Sequence, residues 1–336
     1  MTNNDKKIEL GQFFTKDDVW LKPQVREFIL NSGCSVAYDP FAGEGDLLDV
    51  AKNELGFQSV KGLDIDPDLQ WTVNDSLTSI PHVPDAIIIT NPPYLSKSSA
   101  SRKKIDMSKY FDDSIYSDAY LIALDRMLAA QDHVVAIIPE SFINSNFRRK
   151  DMLYSISILE DNPFEDTDAP VCVSCFDGKH KGLDEVSVYK NETRVGDLDG
   201  IMSIKAKPTN SIIIKFNDKS GWLGLRAADS SDDRQPIRFD YKSKIDYDWD
   251  DGIKESSRHF SLISIDVPAK KRSAFIKKCN DILHELRKAS GDVILTPFMG
   301  NTKAGVRRRR LDFKLARAIM EKAYAEVMGA TDEDQS

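Results

Sequence analysis

The segment Ala86-Ile87-Ile88-Ile89 is apolar at every position and runs directly into Thr90-Asn91-Pro92-Pro93-Tyr94. A short run rich in β-branched residues reads as a buried strand, and the two prolines cannot continue a sheet interior. Proline fixes its own φ and restricts the residue before it, so the Asn91 side chain and the neighbouring carbonyls are held in one geometry. An exocyclic amino group of a nucleobase needs acceptors in its plane and a π-face above its ring. Asn91, the Pro92 carbonyl and Tyr94 supply both, with Pro93 completing the rigid exit.

The segments around this strand alternate strand and helix patterns. Ser35–Asp39, Val60–Asp64 and His133–Ile138 read as strands, and Asp46–Leu55 and Asp118–Ala130 as helices by apolar spacing. This rhythm predicts an α/β fold with a doubly wound, mostly parallel sheet that binds ligands at the carboxyl ends of its strands. A chain of 336 residues with 41% hydrophobic content can bury a sizeable core and suggests two domains. Strand runs such as Ser211–Phe216, broken by acidic turns, mark a second, α+β domain over 184–330, after a first domain over 1–183 and before an acidic tail, 331–336.

The formal charge of −8 argues against uniform coating by a polyanion, yet the charge is uneven. Between Asp266 and Lys322 there are fifteen Lys or Arg against six Asp or Glu, including Arg307-Arg308-Arg309-Arg310. With Lys303 and two nearby glycines, the four arginines read as a mobile cationic loop suited to phosphates or guanine edges. No apolar run approaches the roughly 18 residues of a membrane span, which predicts a cytoplasmic protein without a membrane partner. Cys172 and Cys175 have C-x-x-C spacing but lie in a strand-like run, where positions i and i+3 face opposite ways; they read as buried thiols, with no metal site.

The other candidate residues follow strand ends. Asp39-Pro40-Phe41-Ala42-Gly43-Glu44-Gly45-Asp46 joins a strand to a helix through small residues that let a ligand approach the backbone, with an acidic flank suited to an ammonium group. The third glycine of a dinucleotide fingerprint is absent. Asp64, followed by Ile65 and Asp66, ends the next strand roughly 20 residues after the loop, where a carboxylate takes both ribose hydroxyls of a nucleoside. Asp75, with Ser76, could accept from an adenine amino group; the bare tripeptide Asn74-Asp75-Ser76 otherwise reads as a turn.

Gly11-Gln12-Phe13-Phe14-Thr15, the Asp39–Gly45 loop, Asp64, Asp75 and Asn91–Tyr94, in this order, resemble the S-adenosylmethionine-dependent DNA adenine-N6 methyltransferases of the gamma arrangement, over roughly residues 9 to 180. The resemblance implies a Rossmann-like methyltransferase domain followed by a target-recognition domain. It implies that Gln12, Phe13, Phe14 and Thr15 pack over the methionine end of the cofactor, that the loop with Glu44 borders the methionine moiety, that Asp64 binds ribose and that Asp75 binds the cofactor adenine. Asn91 and Pro92 would hold the target amino group and Tyr94 would stack on a flipped adenine. Pro139-Glu140-Ser141-Phe142 also resembles the family, and Phe176, ending a later strand, falls where such enzymes place a second aromatic against the base. The usual proline after the Thr of the first motif is replaced by Lys16, while Pro23 can begin a helical turn. The implied partners are double-stranded DNA and a restriction endonuclease acting on the same site. Two alternatives share part of this pattern: an RNA or protein-glutamine methyltransferase, and a non-catalytic DNA-binding module, whose expected damaged tetrapeptide or glycine loop is not found here.

Overall fold

The apolar run is buried because its strand lies near the centre of a nine-stranded sheet. The computed structural model describes residues 18–161, 163–164, 167–232, 235–249, 258–303 and 305–329; Gly11–Thr15 and the tail 331–336 lie outside these, and nothing is described of the Met299 side chain. In chain order the strands of the first unit are β1 (Val36–Asp39), β2 (Ser59–Asp64), β3 (Thr72–Val73), β4 (Ala86–Thr90), β5 (Val134–Pro139), β6 (Leu153–Ile158), β7 (Val171–Phe176), β8 (Ser187–Lys190) and β9 (Thr193–Asp197). Their spatial order is β3-β2-β1-β4-β5-β7-β6-β8-β9. Strands β1 to β5 pair in parallel, whereas β7 runs antiparallel to both β5 and β6. The chain order reverses between β1 and β4, so their carboxyl ends form the switch point at which α/β sheets bind ligands.

Helices α1 (Pro23–Asn31), α2 (Asp46–Asn53), α3 (Lys97–Lys103), α4 (Ser108–Phe111) and α5 (Ala119–Ala130) belong to the same unit. Pro23 is the first residue of α1, where its missing N–H costs nothing. Leu47, Leu48 and Ala51 form the buried face of α2 and join one core with Ile87, Ile89, Val135 and Ile137. Helix α5 is apolar nearly all round and almost wholly buried, as expected of a helix enclosed by its own unit.

The chain divides into two compact units, Met1–Asp199 and Gly200–Ser336. The division falls later than residue 183 because β8 pairs in parallel with β6 and β9 pairs with β8, which extends the first sheet through Asp197. Helix α6 (Leu198–Ile204) follows. The second unit is α+β: β10 (Ile214–Phe216), β11 (Leu223–Arg226), β12 (Arg238–Tyr241) and β13 (Phe260–Ile265) form an antiparallel sheet in the order β10-β13-β11-β12. A hairpin of β14 (Thr296–Asn301) and β15 (Arg307–Arg310) lies between helices α7 (Arg272–Ser290) and α8 (Phe313–Gly329) in the chain.

Two sequence expectations are corrected here. Arg307–Arg310 is a strand rather than a mobile loop, and Arg307 and Arg309 are 3% and 1% exposed. Phe176 is fully buried, edge-on to Phe142 and Phe147. Because β7 is antiparallel, Phe176 pairs with Val134 at the start of β5, while Val171 pairs with Pro139 at its carboxyl end. Phe176 therefore sits about 10 Å down the strand from Val173, the residue level with Ile137 beside the site, at 3.3 Å per residue. It belongs to the core. Cys172 and Cys175 are free and buried, and burial pushes the Cys175 thiol up to about 12, so neither is a reactive thiolate. Among the described residues no group of His, Cys, Asp and Glu could hold a metal ion, and no helix is long and apolar enough to cross a membrane.

Asp229 organises the second unit. Its carboxylate accepts from both terminal nitrogens of Arg287 at 3.1 Å and from the backbone N–H groups of Ile237 and Arg309 at 3.0 Å. Arg287 also reaches Asp292, at 2.8 and 3.1 Å. Removing one member of such a pair leaves the other charge poorly solvated, so Asp229→Ala is expected to destabilise the protein by about 3 kcal/mol, read from urea unfolding followed in the second unit.

Candidate active site

Strand β1 ends at Asp39, and the loop after it reaches α2 through two residues of positive φ, Gly43 at +51° and Gly45 at +102°. Side chains rarely adopt these angles, so glycine is required by the turn itself. The Asp39 carboxylate is 2% exposed and accepts from Phe41 N at 2.9 Å and Thr90 Oγ1 at 2.5 Å. It thereby joins the loop after β1 to the last residue of β4, immediately before Asn91. Burial pushes the Asp39 carboxyl up to about 7, against the opposing pull of these two donors.

Asp64, at the end of β2, is 6% exposed, and each of its oxygens accepts one backbone N–H at 2.9 Å: Oδ2 from Gly43 and Oδ1 from Asp66. Gly43 is held at its other end too, because its carbonyl accepts from Trp71 Nε1 at 2.8 Å. The Trp71 indole lies against Gly62 and Gly45; a Cβ at those positions would meet it at 2.4 and 2.9 Å. Gly62, on β2, therefore leaves the space that the indole occupies. Sequence reasoning missed Trp71, since nothing local distinguishes a loop tryptophan that folds back over a neighbouring strand.

Asp75 follows β3. Its Oδ2 accepts from Thr78 Oγ1 at 2.9 Å, Lys109 Nζ at 2.5 Å and Tyr110 Oη at 3.1 Å. Partial burial raises the Asp75 carboxyl, but these donors outweigh it and hold it below the usual carboxylate range. All three bonds converge on Oδ2, which leaves Oδ1 to accept from a ligand. Ser76 is buried, its Oγ accepting from Asn74 Nδ2 at 2.8 Å.

Asp64, Asp75 and Pro93 line one cleft, with apolar walls from Phe41, Ile65 and Tyr110. Ile65 is 52% exposed at its edge, an apolar side chain that a flat ligand would cover. Ala42 is buried beneath the loop and Glu44 is exposed on it. Beside the cleft, the Tyr94 hydroxyl is 2.6 Å from Asn91 Oδ1 and 2.9 Å from the carbonyl of Ile137. Burial raises the Tyr94 hydroxyl well above its ordinary range, so it remains a donor. Its ring meets Phe164 edge-on at 6.2 Å. Phe164, in the β6–β7 connection, is the aromatic that the topology brings to Tyr94 in place of Phe176. After β5, the Lys150 ammonium donates to the carbonyls of Ile143 and Ser145 at 2.8 and 2.5 Å and anchors the segment that contains Glu140 and Phe142.

No family profile and no curated protein matches the chain. Among solved structures it is similar to a Listeria monocytogenes protein assigned to the class I S-adenosylmethionine-dependent methyltransferases, at 15% identity and a TM-score of 0.38, over 53% of this chain and 66% of that one. A type I restriction-modification methyltransferase subunit from Streptococcus thermophilus is similar at 18% identity and a TM-score of 0.39, over 57% of this chain and 53% of the other. An rRNA methylase from Streptococcus thermophilus matches at 12% identity and a TM-score of 0.28, over 47% of this chain and 94% of its own. The match spans under two thirds of the length of the first two proteins. These likenesses concern the fold alone.

Asp39 generates a pH dependence with a defined sign. The folded protein keeps its proton up to about pH 7 while the unfolded chain releases it near 3.8, so over this window the folded state binds more protons and loses stability as pH rises. The contribution is complete below about 4 and gone above about 7. Asp39→Asn keeps the acceptor for Phe41 and Thr90, and the stability of wild type relative to this variant is expected to fall between pH 4 and 8 in urea titrations. A constant difference would show that Asp39 ionises normally.

Proposed function

We propose that the chain is an S-adenosylmethionine-dependent DNA methyltransferase acting on N6 of an adenine flipped out of the duplex. The observation that carries this reading is the adjacency at one switch point of a cleft walled by Asp64, Asp75 and Pro93 and the rigid amide acceptor Asn91. The lining groups suit the cofactor chemically: Asp64 retains a lone pair on each oxygen for ribose hydroxyls, Asp75 offers Oδ1 to an adenine amino group, and the Gly43–Gly45 backbone admits the methionine end. S-adenosylmethionine, when bound, supplies an electrophilic methyl on a sulfonium sulfur.

The residues of this chain address the other half of the problem. The N6 lone pair of adenine is delocalised into its ring, and the amino group is a poor nucleophile until its N–H bonds are drawn toward tetrahedral geometry. Asn91 Oδ1 and the Pro92 carbonyl accept those two N–H bonds and stabilise the positive charge that grows on nitrogen as the N–C bond forms. The amino proton then leaves to solvent. Asn91 can be released for this role at little cost: the Tyr94 proton has a second acceptor in Ile137 O, 2.9 Å away, so neither group is orphaned when substrate takes Oδ1. Flipping costs a few kcal/mol, which stacking on Tyr94, worth about 1–3 kcal/mol, offsets in large part.

Asn91→Ala is expected to lower methyl transfer by about 10²-fold or more with cofactor affinity nearly unchanged, because the side chain touches the target and not the sulfonium. Duplex DNA incubated with S-adenosylmethionine and digested to nucleosides would be assayed for N6-methyl-2′-deoxyadenosine by mass spectrometry, with calorimetry reporting cofactor binding. Turnover retained in the variant rules out the mechanism, and transfer only to RNA or to a glutamine side chain moves the substrate assignment.

A further inference from the structure

We propose that Lys109 is a positioning residue for the cofactor nucleoside: with Tyr110 it pins one oxygen of Asp75 and leaves the other for the amino group of a 6-aminopurine. This rests on the proposed function and deepens it by naming what makes the cleft selective for adenine. Lys109 and Tyr110 belong to α4, a four-residue helix that follows the Asn91–Tyr94 tetrapeptide in the chain.

The helix has other anchors than Lys109. Phe111 is 3% exposed and fixes its inner face, and Asp106 Oδ1 accepts from the N–H and the hydroxyl of Ser108 at 3.0 and 2.7 Å, which closes its entry turn. The Lys109 side chain is 65% exposed, and an ion pair so open to water contributes little to stability. What it supplies is direction. Its Nζ donates to Asp75 Oδ2 at 2.5 Å, where Thr78 Oγ1 arrives at 2.9 Å and Tyr110 Oη at 3.1 Å. A carboxylate with all three donors on one oxygen cannot exchange its oxygens by rotation without breaking those bonds, so Oδ1 keeps one place. Tyr110 also puts its ring in the wall of the cleft, with Met107 and Leu95 of the same segment. One short stretch of chain thus pins the recognising carboxylate and walls the ring that it recognises.

Asp64 lines the same cleft, and Asp113, Asp125 and Arg126 line a second depression that shares Lys109 and Tyr110. The downward pull on the Asp75 carboxyl nevertheless comes from Lys109, Thr78 and Tyr110, against the upward push of its own burial. An ionised carboxylate can only accept. The amino group of a 6-aminopurine gives it a proton to accept, whereas the carbonyl of a 6-oxopurine sets two acceptors face to face, each unpaired once water is excluded. The pinning also decides what an amide in place of Asp75 would do. With its oxygen held by Lys109, Thr78 and Tyr110, its NH2 group would take the outward position and donate to a 6-oxo group.

The test titrates the full chain by calorimetry with S-adenosylhomocysteine, the product of the proposed transfer, and with its 6-oxo analogue S-inosylhomocysteine. Wild type is expected to prefer the adenosyl ligand roughly tenfold or more. Lys109→Met is expected to weaken adenosyl binding by about tenfold and inosyl binding little, with the unfolding midpoint kept, and Lys109→Arg to restore most of the preference. Without Lys109 the Asp75 carboxyl takes up its proton at higher pH, so on acidification from about pH 8 to about pH 5 the adenosyl affinity of Lys109→Met falls earlier than that of wild type. Asp75→Asn is expected to reverse the preference, and adding Lys109→Met to it to erase the reversal. Equal affinities and pH profiles for wild type and Lys109→Met, an equal loss for both ligands, an unreversed preference in Asp75→Asn, or wild type that binds neither ligand would each overturn the assignment. The two readings fail separately: a Lys109-dependent preference without methyl transfer to DNA refutes only the methyltransferase function, and methyl transfer with a preference indifferent to Lys109 refutes only the positioning role.

Discussion

The hydrogen bond from Thr90 Oγ1 to Asp39 Oδ1, at 2.5 Å and fully out of solvent, is the constraint on which the first unit's site depends. It crosses the switch point and ties the end of β1 to the end of β4. The loop beside the cleft and the tetrapeptide that carries Asn91 therefore hang from one buried contact. A charged Asp39 in this position would be costly, and its carboxyl responds by keeping its proton to about pH 7. The hydroxyl donor and the Phe41 N–H recover part of the cost of burial, which makes the bond both a tether and a reservoir of unfavourable desolvation.

The glycine loop shows how a permissive backbone is made definite. Gly43 and Gly45 adopt left-handed angles that side chains rarely take, and such freedom would leave the loop ill-defined. Asp64 takes the Gly43 N–H and Trp71 donates to its carbonyl, so the peptide is held from both sides. The same Asp64 that clamps the loop faces the cleft. Support of the loop and lining of the cleft are thereby joined in one carboxylate; Asp75 lines the same cleft, with one oxygen fixed by Lys109, Tyr110 and Thr78.

In the second unit a single carboxylate has a comparable role. Asp229 gathers Arg287, Ile237 N and Arg309 N around its two oxygens, and the period of two along β15 then sorts the arginines into an inner and an outer pair. The acidic stretch around Asp229, a turn-rich interruption when read in sequence, supplies the centre of the network.

The sequence by itself determined the alternation of strand and helix, the burial of Ala86–Thr90, and the placement of Asp39, Asp64 and Asn91 at or just after strand ends. These depend on local periodicity and on proline and glycine, whose effects reach only a few residues. Tertiary structure decided the rest. The antiparallel direction of β7 put Phe176 in the core and left Phe164 beside Tyr94, because strand direction depends on pairing partners remote in the chain. Trp71 on Gly62 and Lys109 on Asp75 are contacts across 9 and 34 positions that no local pattern encodes. The run of four arginines had one composition but two fates. Only the pairing of β15 with β14 and the position of Asp229 settled which guanidinium groups are buried and which face outward.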